Sequence, residues 1–212
     1  MEGGKGLTTI ESPQLVFFAG TRPEVIKLAP VYKEARLKQI PTTFVFTGQQ
    51  PDLGPQALEE NGIQDHTNLG VVSHGDLSEL LAGIIQATSG WLRSVPFEIS
   101  WVVVQGDTAS AAGVALAAFH ARIPVAHVEA GLRTKDISSP FPEESYRQLI
   151  ARVAAKHFAP TELARRNLLD EAIPDDSITV TGNTSIDRLR EHLETRDEVK
   201  LLGDSGDRKQ VL

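Results

Sequence analysis

Residues 125–134 read Val125-Ala126-His127-Val128-Glu129-Ala130-Gly131-Leu132-Arg133-Thr134, a short and mostly apolar run followed by a glutamate and a glycine-containing loop. Glu129 lies too close to the end of this run to be an ordinary surface charge. Ser139-Pro140-Phe141-Pro142-Glu143-Glu144 follows and opens a helical pattern that carries a second candidate glutamate, Glu143. An open α/β sheet binds ligands beyond the carboxyl ends of its strands. The stretch therefore predicts such a sheet, with acidic side chains at its binding edge.

Apolar runs and helical patterns alternate along most of the chain. Strands are predicted at 15–19, 42–47, 99–104, 124–128, 156–159 and 177–181. Helices are predicted at 23–37, 55–61, 77–92, 109–120, 142–155, 161–171 and 185–195. Near-continuous apolar strands separated by helices indicate a parallel sheet with helices on both faces and right-handed crossovers. The predicted fold class is α/β, with a Rossmann-like sheet.

The two ends of the chain differ from this pattern. Residues 1–12 are polar and contain glycine, so we predict a flexible N-terminus before a lobe that spans residues 13–190. Residues 191–212 include a charged, glycine-containing segment typical of a linker. The last apolar residues look like the approach to another strand. We therefore expect a hinge at 191–212 and the start of a second lobe that is missing.

Composition excludes several classes of protein. The 212 residues are 41% hydrophobic, which is ordinary for a soluble globular chain. A formal net charge of -7 argues against binding to nucleic acid or to an acidic membrane surface. The absence of cysteine excludes disulfides, thiol nucleophiles and thiolate metal sites. No run has the length of a signal peptide core or a membrane span, so a cytoplasmic protein is expected.

A first candidate site lies in Gly20-Thr21-Arg22-Pro23-Glu24-Val25-Ile26-Lys27, which follows a strand and opens a helix. Pro23 suits the first helical position. Free amides at the start of a helix bind anions, and Arg22 and Lys27 would add positive charge there. The alternative is a capped helix with two solvated cations, which spacing alone favours.

Two further acids have both a structural and a functional interpretation. Asp107 follows a buried strand and Gly106, so it either faces a ligand or caps the helix that starts near Ala109. Glu143 either takes part in chemistry or complements the helix dipole. With Glu129 and the nearby cations Arg133 and Arg147, these acids suggest proton transfer beside an anionic substrate. For His127, a role as a core histidine is favoured.

These motifs, taken in order, resemble the non-hydrolysing UDP-N-acetylglucosamine 2-epimerases. The resemblance covers most of residues 15–190. It rests on Gly20-Thr21-Arg22-Pro23-Glu24, Lys27-Leu28-Ala29-Pro30, Gly106-Asp107-Thr108, residues 124–134 and 139–144, His157-Phe158-Ala159-Pro160-Thr161-Glu162 and Thr181-Gly182-Asn183-Thr184. It implies that residues 13–190 form the N-terminal lobe of a two-lobed, glycosyltransferase-B-like fold that holds a sugar nucleotide in its cleft.

The resemblance also implies a reaction and its residues. Family enzymes interconvert UDP-N-acetylglucosamine and UDP-N-acetylmannosamine by eliminating UDP to a 2-acetamidoglucal and adding it back. Asp107, Glu129 and Glu143 match the family's catalytic acids, whereas Arg22 and Lys27 match residues that would steady the diphosphate. A UDP-sugar is the implied substrate, and neither a metal nor a cofactor is implied. Which acid removes the C2 proton stays open.

The chain departs from the family in two respects. Thr47-Gly48-Gln49-Gln50-Pro51 stands where the family continues from Thr-Gly-Gln into His-Arg. The resemblance also implies a second lobe, which in the family holds uridine and supplies a catalytic histidine, and we expect that lobe to be missing here. We therefore expect weak UDP-sugar binding and negligible turnover by this chain. The alternative is a non-catalytic module that forms a homodimer or pairs with a full-length epimerase; a glycosyltransferase of the same architecture fits the acids less well.

Overall fold

The computed structural model describes residues 12–72 and 75–195. Within them, seven strands form one parallel sheet: β1 (Gln14–Ala19), β2 (Thr42–Phe46), β3 (Thr67–Asn68), β4 (Ile99–Gln105), β5 (Val125–Val128), β6 (Lys156–Ala159) and β7 (Ile178–Val180). The helices are α1 (Arg22–Leu37), α2 (Leu53–Glu60), α3 (Leu77–Ser94), α4 (Ala109–His120), α5 (Glu143–Val153), α6 (Glu162–Asp170) and α7 (Thr184–Thr195). The termini predicted as flexible N-terminus and linker lie mostly outside the described residues.

The predicted α/β class with a parallel, Rossmann-like sheet is confirmed. Each predicted strand and helix is present, with ends that differ by at most two residues; α5, for example, begins at Glu143 rather than at Pro142. The sequence prediction missed β3, an edge strand of two residues that pairs with Val45 and Phe46 of β2. Two residues are too few to show the alternation from which strands are predicted.

The strand order places a topological switch beside β1. The sheet runs β3-β2-β1-β4-β5-β6-β7, so the chain first builds outward from β1 in one direction and then returns to its other side as β4. Ligands in open α/β sheets bind beyond the carboxyl ends of the strands at such a point. Here those ends lead into Thr21 after β1 and into Asp107 after β4.

Each face of the sheet has its own core. On one face, β1 and β4 pack against α3, α4 and α5 through residues such as Phe18, Val104, Ile84 and Ile150. The alanine-rich α4 lies close to α3 because Gly113 has no side chain: a Cβ there would lie 2.7 Å from Ile84. On the other face, α1 and α2 cover a core of aromatic and aliphatic side chains, among them Phe17, Phe44, Phe46, Leu28 and Leu58.

The second face also carries an apolar groove beside α1. Its volume is about 500 Å³, and its floor is formed by strand residues that include Val103, Val128 and Phe158. Val31 of α1 and Thr184 at the start of α7 line its sides. None of the helices in the described part of the chain is both long enough and apolar enough to cross a bilayer.

Two histidines lie side by side inside the sheet. His127 of β5 is in register with His157 of β6, and each is 1% exposed. His127 Nε2–H donates to the Gly106 carbonyl at 2.7 Å, which confirms His127 as a core histidine. The Nδ1 atoms of both rings have no hydrogen-bond partner in the described residues. Burial lowers the pKa of each imidazole to about 4, and the charge of Arg133 adds to the effect.

We therefore expect the folded chain to lose stability as the pH falls from 6.5 toward 5. The unfolded histidines take up protons near their usual pKa of 6.5, whereas the folded ones stay neutral until about pH 4. Because the unfolded state binds more protons in this interval, the unfolding free energy should fall with a slope that approaches about 1.4 kcal/mol per pH unit for each histidine near pH 5. Urea unfolding at several pH values measures this slope.

A matched pair of variants tests whether the two buried histidines cause this pH dependence of the unfolding free energy. His157→Gln should reduce the slope by about half, since one of the two buried titrating groups is then missing. His120→Gln should leave it unchanged, because His120 is exposed at the end of α4. Equal slopes in the wild type and in His157→Gln would contradict the explanation.

Candidate active site

Glu129 stands directly after β5 and is held by three donors. Its backbone has a positive φ of 66°, which turns the chain sharply out of the strand. Lys27 of α1 donates to Oε2 at 2.6 Å, and the side-chain amide of Gln105 donates to the same oxygen. Asn183 donates to Oε1 at 3.1 Å. The side chain of Glu129 is 13% exposed, so the pair with Lys27 is largely shielded from solvent.

Asp107 is bound by an arginine from α5. Arg147 reaches Asp107 Oδ2 from Nε at 2.8 Å and from Nη2 at 2.6 Å. Thr108, not Asp107, caps α4, since its hydroxyl accepts the amide of Ala111 at 3.1 Å. The capping interpretation of Asp107 is therefore wrong, and its carboxylate is turned toward α5.

Glu143 differs from the other two acids. It opens α5, one turn before Arg147, so the two side chains share a face of the helix. Its Oε2 atom is buried, and among the described residues it has no hydrogen-bond partner. A buried acceptor without a partner is uncommon in native proteins and calls for an explanation. Of the three predicted acids, Glu143 is the one with a buried oxygen that lacks a hydrogen-bond partner among the described residues.

The structure adds Glu144, which the sequence prediction missed. Its side chain is fully buried and accepts from the Thr134 amide at 3.1 Å, from Gln148 at 3.1 Å and from Arg147 at 3.2 Å. Burial raises the pKa of Glu144, but the hydrogen bonds from Gln148, Thr134 and Arg147 outweigh it, so that the pKa lies below its usual range. The spacing of Glu144, Arg147 and Gln148 along a helix was the signal available in the sequence.

The start of α1 is capped rather than open. The amides of Gly20 and Thr21 donate to Glu24 Oε2 at 2.9 and 2.8 Å, and the Arg22 amide donates to Gln50 Oε1 at 2.9 Å. These amides are therefore not free for an anion, and the capped-helix alternative is correct. Lys27, however, is not a solvated cation, because it pairs with Glu129.

The cation Arg22 lies at the surface of this region. Its side chain is 47% exposed, and Glu60 is 3.9 Å away. Arg22 is thus available to a ligand in solution.

Glu24, near Arg22, is 1% exposed, and its Oε1 accepts from the Thr108 hydroxyl at 2.7 Å. Burial raises the pKa of Glu24, while its four hydrogen bonds oppose that effect.

Arg133 does not contact the predicted acids Asp107, Glu129 and Glu143; its ion pair is with Glu171. Its guanidinium donates to Glu171 at 2.6 and 2.9 Å and so ties the loop after β5 to the end of α6. Of the two arginines named as nearby cations, Arg133 therefore pairs with Glu171, whereas Arg147 pairs with the predicted acid Asp107. No group of three or more histidine, aspartate or glutamate side chains in the described ranges is arranged to hold a metal ion.

Residues 47–51, which depart from the family pattern, contact the same edge of the sheet, at the carboxyl ends of its strands. Gln49 Oε1 accepts from the amide and the hydroxyl of Ser110, at 3.0 and 2.7 Å. Gln50 accepts from Arg22, as described above. The two glutamines therefore bridge the starts of α1 and α4.

Fold and site together define a class of protein: a Rossmann-like α/β lobe in which acidic side chains are ion-paired with lysine and arginine at the switch point of its sheet. A family model described as UDP-N-acetylglucosamine 2-epimerase matches residues 33–211. The chain belongs to the UDP-N-acetylglucosamine 2-epimerase family.

Individual relatives agree with this membership. A probable UDP-N-acetylglucosamine 2-epimerase of Ralstonia solanacearum is 43% identical over 186 residues, which are 85% of this chain and 49% of that protein. The crystal structure of UDP-GlcNAc 2-epimerase from Neisseria meningitidis bound to UDP-GlcNAc matches with a TM-score of 0.81 and 39% identity, over 86% of this chain and 50% of that one. The chain thus spans about half the length of the relatives it matches.

A more distant structure shares the fold alone. The lipopolysaccharide outer core galactosyltransferase WaaB matches with a TM-score of 0.54 at 14% identity, over 79% of this chain and 44% of that one. The similarity therefore extends to a glycosyltransferase in architecture.

Proposed function

We propose that this chain supplies the proton-transfer residues and part of the diphosphate site of a UDP-N-acetylglucosamine 2-epimerase. The observation that carries the proposal is the arrangement at the carboxyl ends of β4 and β5. Asp107 and Glu129 follow neighbouring strands there, and the Arg147 contact brings α5, with Glu143 at its start, to the same edge. The Neisseria relative that is similar over half its length binds UDP-GlcNAc.

The proposed chemistry interconverts UDP-N-acetylglucosamine and UDP-N-acetylmannosamine. A carboxylate takes the C2 proton, the electrons of that C–H bond form the C1–C2 double bond of a 2-acetamidoglucal, and the C1–O bond breaks with its electron pair leaving on UDP. Return of UDP to C1 and of a proton to the other face of C2 gives the epimer. The protein must therefore hold a proton acceptor, a proton donor and positive charge near the leaving group.

The contacts suggest how Asp107, Glu129 and Glu143 divide this work. Arg147 is ion-paired with Asp107, and Lys27 with Glu129. The buried Oε2 of Glu143 has no partner in the described residues, so a proton can be accepted there without breaking a bond. Glu143 is thus our candidate for exchanging the C2 proton, with Asp107 and Glu129 as its catalytic partners.

Lys27 and Arg22 are the proposed residues for the diphosphate. The ammonium group of Lys27 has three N–H donors and uses one for Glu129, so it retains donors for a phosphate oxygen. Arg22, half exposed at the start of α1, can turn toward the same ligand. Both lie on α1, which begins at the switch point of the sheet.

The other half of the family protein is expected to complete this site. Elimination depends on positioning and on exclusion of water, and an open edge provides only part of each. We therefore expect the 212-residue chain to bind UDP-N-acetylglucosamine weakly and to turn it over at a negligible rate. Ligand titration followed by NMR measures the binding, and product analysis measures the turnover.

Substitutions at two lysines near α1 test the binding site. Lys27→Met should weaken binding about tenfold or more, since a hydrogen bond between charged groups contributes about 1.5–3 kcal/mol. Lys38→Met should have no effect, because Lys38 is 63% exposed and pairs with Glu34. Equal binding by both variants would refute the proposed site. UDP-N-acetylmannosamine formed by the chain alone, and abolished by Asp107→Asn, would show that one lobe suffices.

A second candidate function is that of a non-catalytic module that forms a homodimer or pairs with a full-length epimerase. The apolar groove on the sheet favours it, together with an exposed stripe of Ile186, Leu189 and Leu193 on α7. Size-exclusion chromatography with light scattering, with and without a full-length relative, tests this candidate. A chain that stays monomeric in both would exclude it. Cytoplasmic location stays a prediction.

A further inference from the structure

The carboxylate of Glu129 has its donors distributed unequally between its two oxygens. Lys27 and Gln105 both donate to Oε2. Within the described ranges, Oε1 receives its hydrogen bond from Asn183. Lys27 and Gln105 thus restrain one oxygen, and Asn183 is the contact that restrains the other and steadies the orientation of the group.

Asn183 is well placed to steady the carboxylate because its own side-chain amide is oriented. It lies between β7 and α7, just after Gly182, and its Oδ1 accepts the amide of Ser185 at 2.9 Å. That bond leaves the NH2 group of the side chain pointing to Glu129. A single side chain thus holds the first turn of α7 and an acid of the proposed site. No local pattern requires this, since β6 separates β5 from β7 in the sheet.

Three contacts close a ring that includes Glu129. Lys27 links Glu129 to α1, and Asn183 links it to α7. The helices α1 and α7 pack on each other, with Lys33 and Glu191 paired at 3.1 Å. A displacement of α7 along α1 would therefore withdraw the Asn183 donor while Lys27 and Gln105 stayed on Oε2.

We infer that Asn183 is a positioning residue for Glu129, and that it makes the orientation of this carboxylate depend on the position of α7. The inference rests on the proposed function for its significance, because Glu129 matters only if the site is catalytic. The last helix that the structure describes is α7, and the relatives are about twice as long as this chain. Asn183 thus links the acid to the segment from which the rest of the family protein would continue.

Two substitutions separate this role from the capping of α7. Asn183→Ser and Asn183→Asp both keep an oxygen that can accept the Ser185 amide, since serine and aspartate are good capping residues. Serine is too short to reach Glu129, and aspartate places a second carboxylate against Oε1. Asn68→Ser is the matched control: Asn68 accepts the Gly70 amide at 2.9 Å in the same local arrangement but lies on the edge strand β3.

The side-chain amide signal of Gln105 in NMR spectra reports on the carboxylate, because Gln105 donates to it. We expect this signal to shift upfield in Asn183→Ser and further in Asn183→Asp, with the backbone amide signals of α7 unchanged. Asn68→Ser should leave the Gln105 signal in place. An unmoved Gln105 signal in both Asn183 variants overturns the inference, as does a loss of the α7 signals in both. Failure of the wild type to bind UDP-N-acetylglucosamine counts against the proposed function instead.

Discussion

Gly131→Ala is expected to destabilise the chain by about 3 kcal/mol, a large part of the stability of a typical domain. Gly131 has a φ of +86°, which costs a residue with a side chain about 1–2 kcal/mol. A Cβ at this position would also lie 2.2 Å from the backbone carbonyl oxygen of Ala164 in α6. Because a helix backbone cannot give way as a side chain can, overpacking should add about 1–3 kcal/mol. Urea unfolding measures the change.

Gly182→Ala is the matched control for this effect. Gly182 has nearly the same backbone conformation, with a φ of +83°, but apart from Gly182 and its two chain neighbours no atom of the described residues lies within 4 Å of the point that a Cβ would occupy. The unfolding free energy of this variant should fall only by the cost of its backbone conformation, about 1–2 kcal/mol. If both variants were equally stable, the close approach of α6 to the loop after β5 would not be a constraint on the fold.

Arg147→Met is expected to cost about 3 kcal/mol of unfolding free energy and to disturb the proposed site. The substitution leaves Asp107 without its cation and removes one of three donors from the fully buried Glu144. Breaking a buried ion pair from one side is costly because the remaining charge stays buried without compensation. Methionine keeps much of the length of the arginine, so packing changes little. Urea unfolding near neutral pH measures the loss.

Arg165→Met provides the comparison at the surface. Arg165 also pairs with two acids, Asp175 and Glu162, but these are 63% and 69% exposed. Exposed ion pairs contribute about 0–1 kcal/mol, so this variant should unfold almost like the wild type. A similar small loss in both variants would mean that the contacts of Arg147 do not stabilise the fold.

Much of the fold could be predicted from short-range patterns. The apolar run before Gly106 and the alanine-rich helix after it were predicted almost to the residue, as β4 and α4 show. The edge strand β3 was missed because it consists of Thr67 and Asn68 alone and depends on pairing with β2. The core position of His127 was also predictable, since side chains alternate between the faces of a strand.

The candidate site was predictable in its members but less so in their contacts. Asp107 and Glu129 were expected at strand ends, and the structure places both there. That Arg147 binds Asp107 while Arg133 binds Glu171 could not be derived, because either arginine is long enough to reach several acids. Glu144 was overlooked beside Glu143, although it is the more deeply buried of the two.

The sequence alone determined the succession of helices and strands along the chain, except for β3, together with the parallel α/β class and the residues that can carry chemistry. Apolar periodicity, glycines and prolines act over a few residues, so their effects can be read locally. Only the tertiary structure decided the partners: Lys27 with Glu129, 102 residues apart, Arg147 with Asp107, 40 apart, and Asn183 with Glu129, 54 apart. The physical reason is that strand order and helix packing bring distant side chains together, and burial then selects the pairs that satisfy each other's charge and hydrogen bonds.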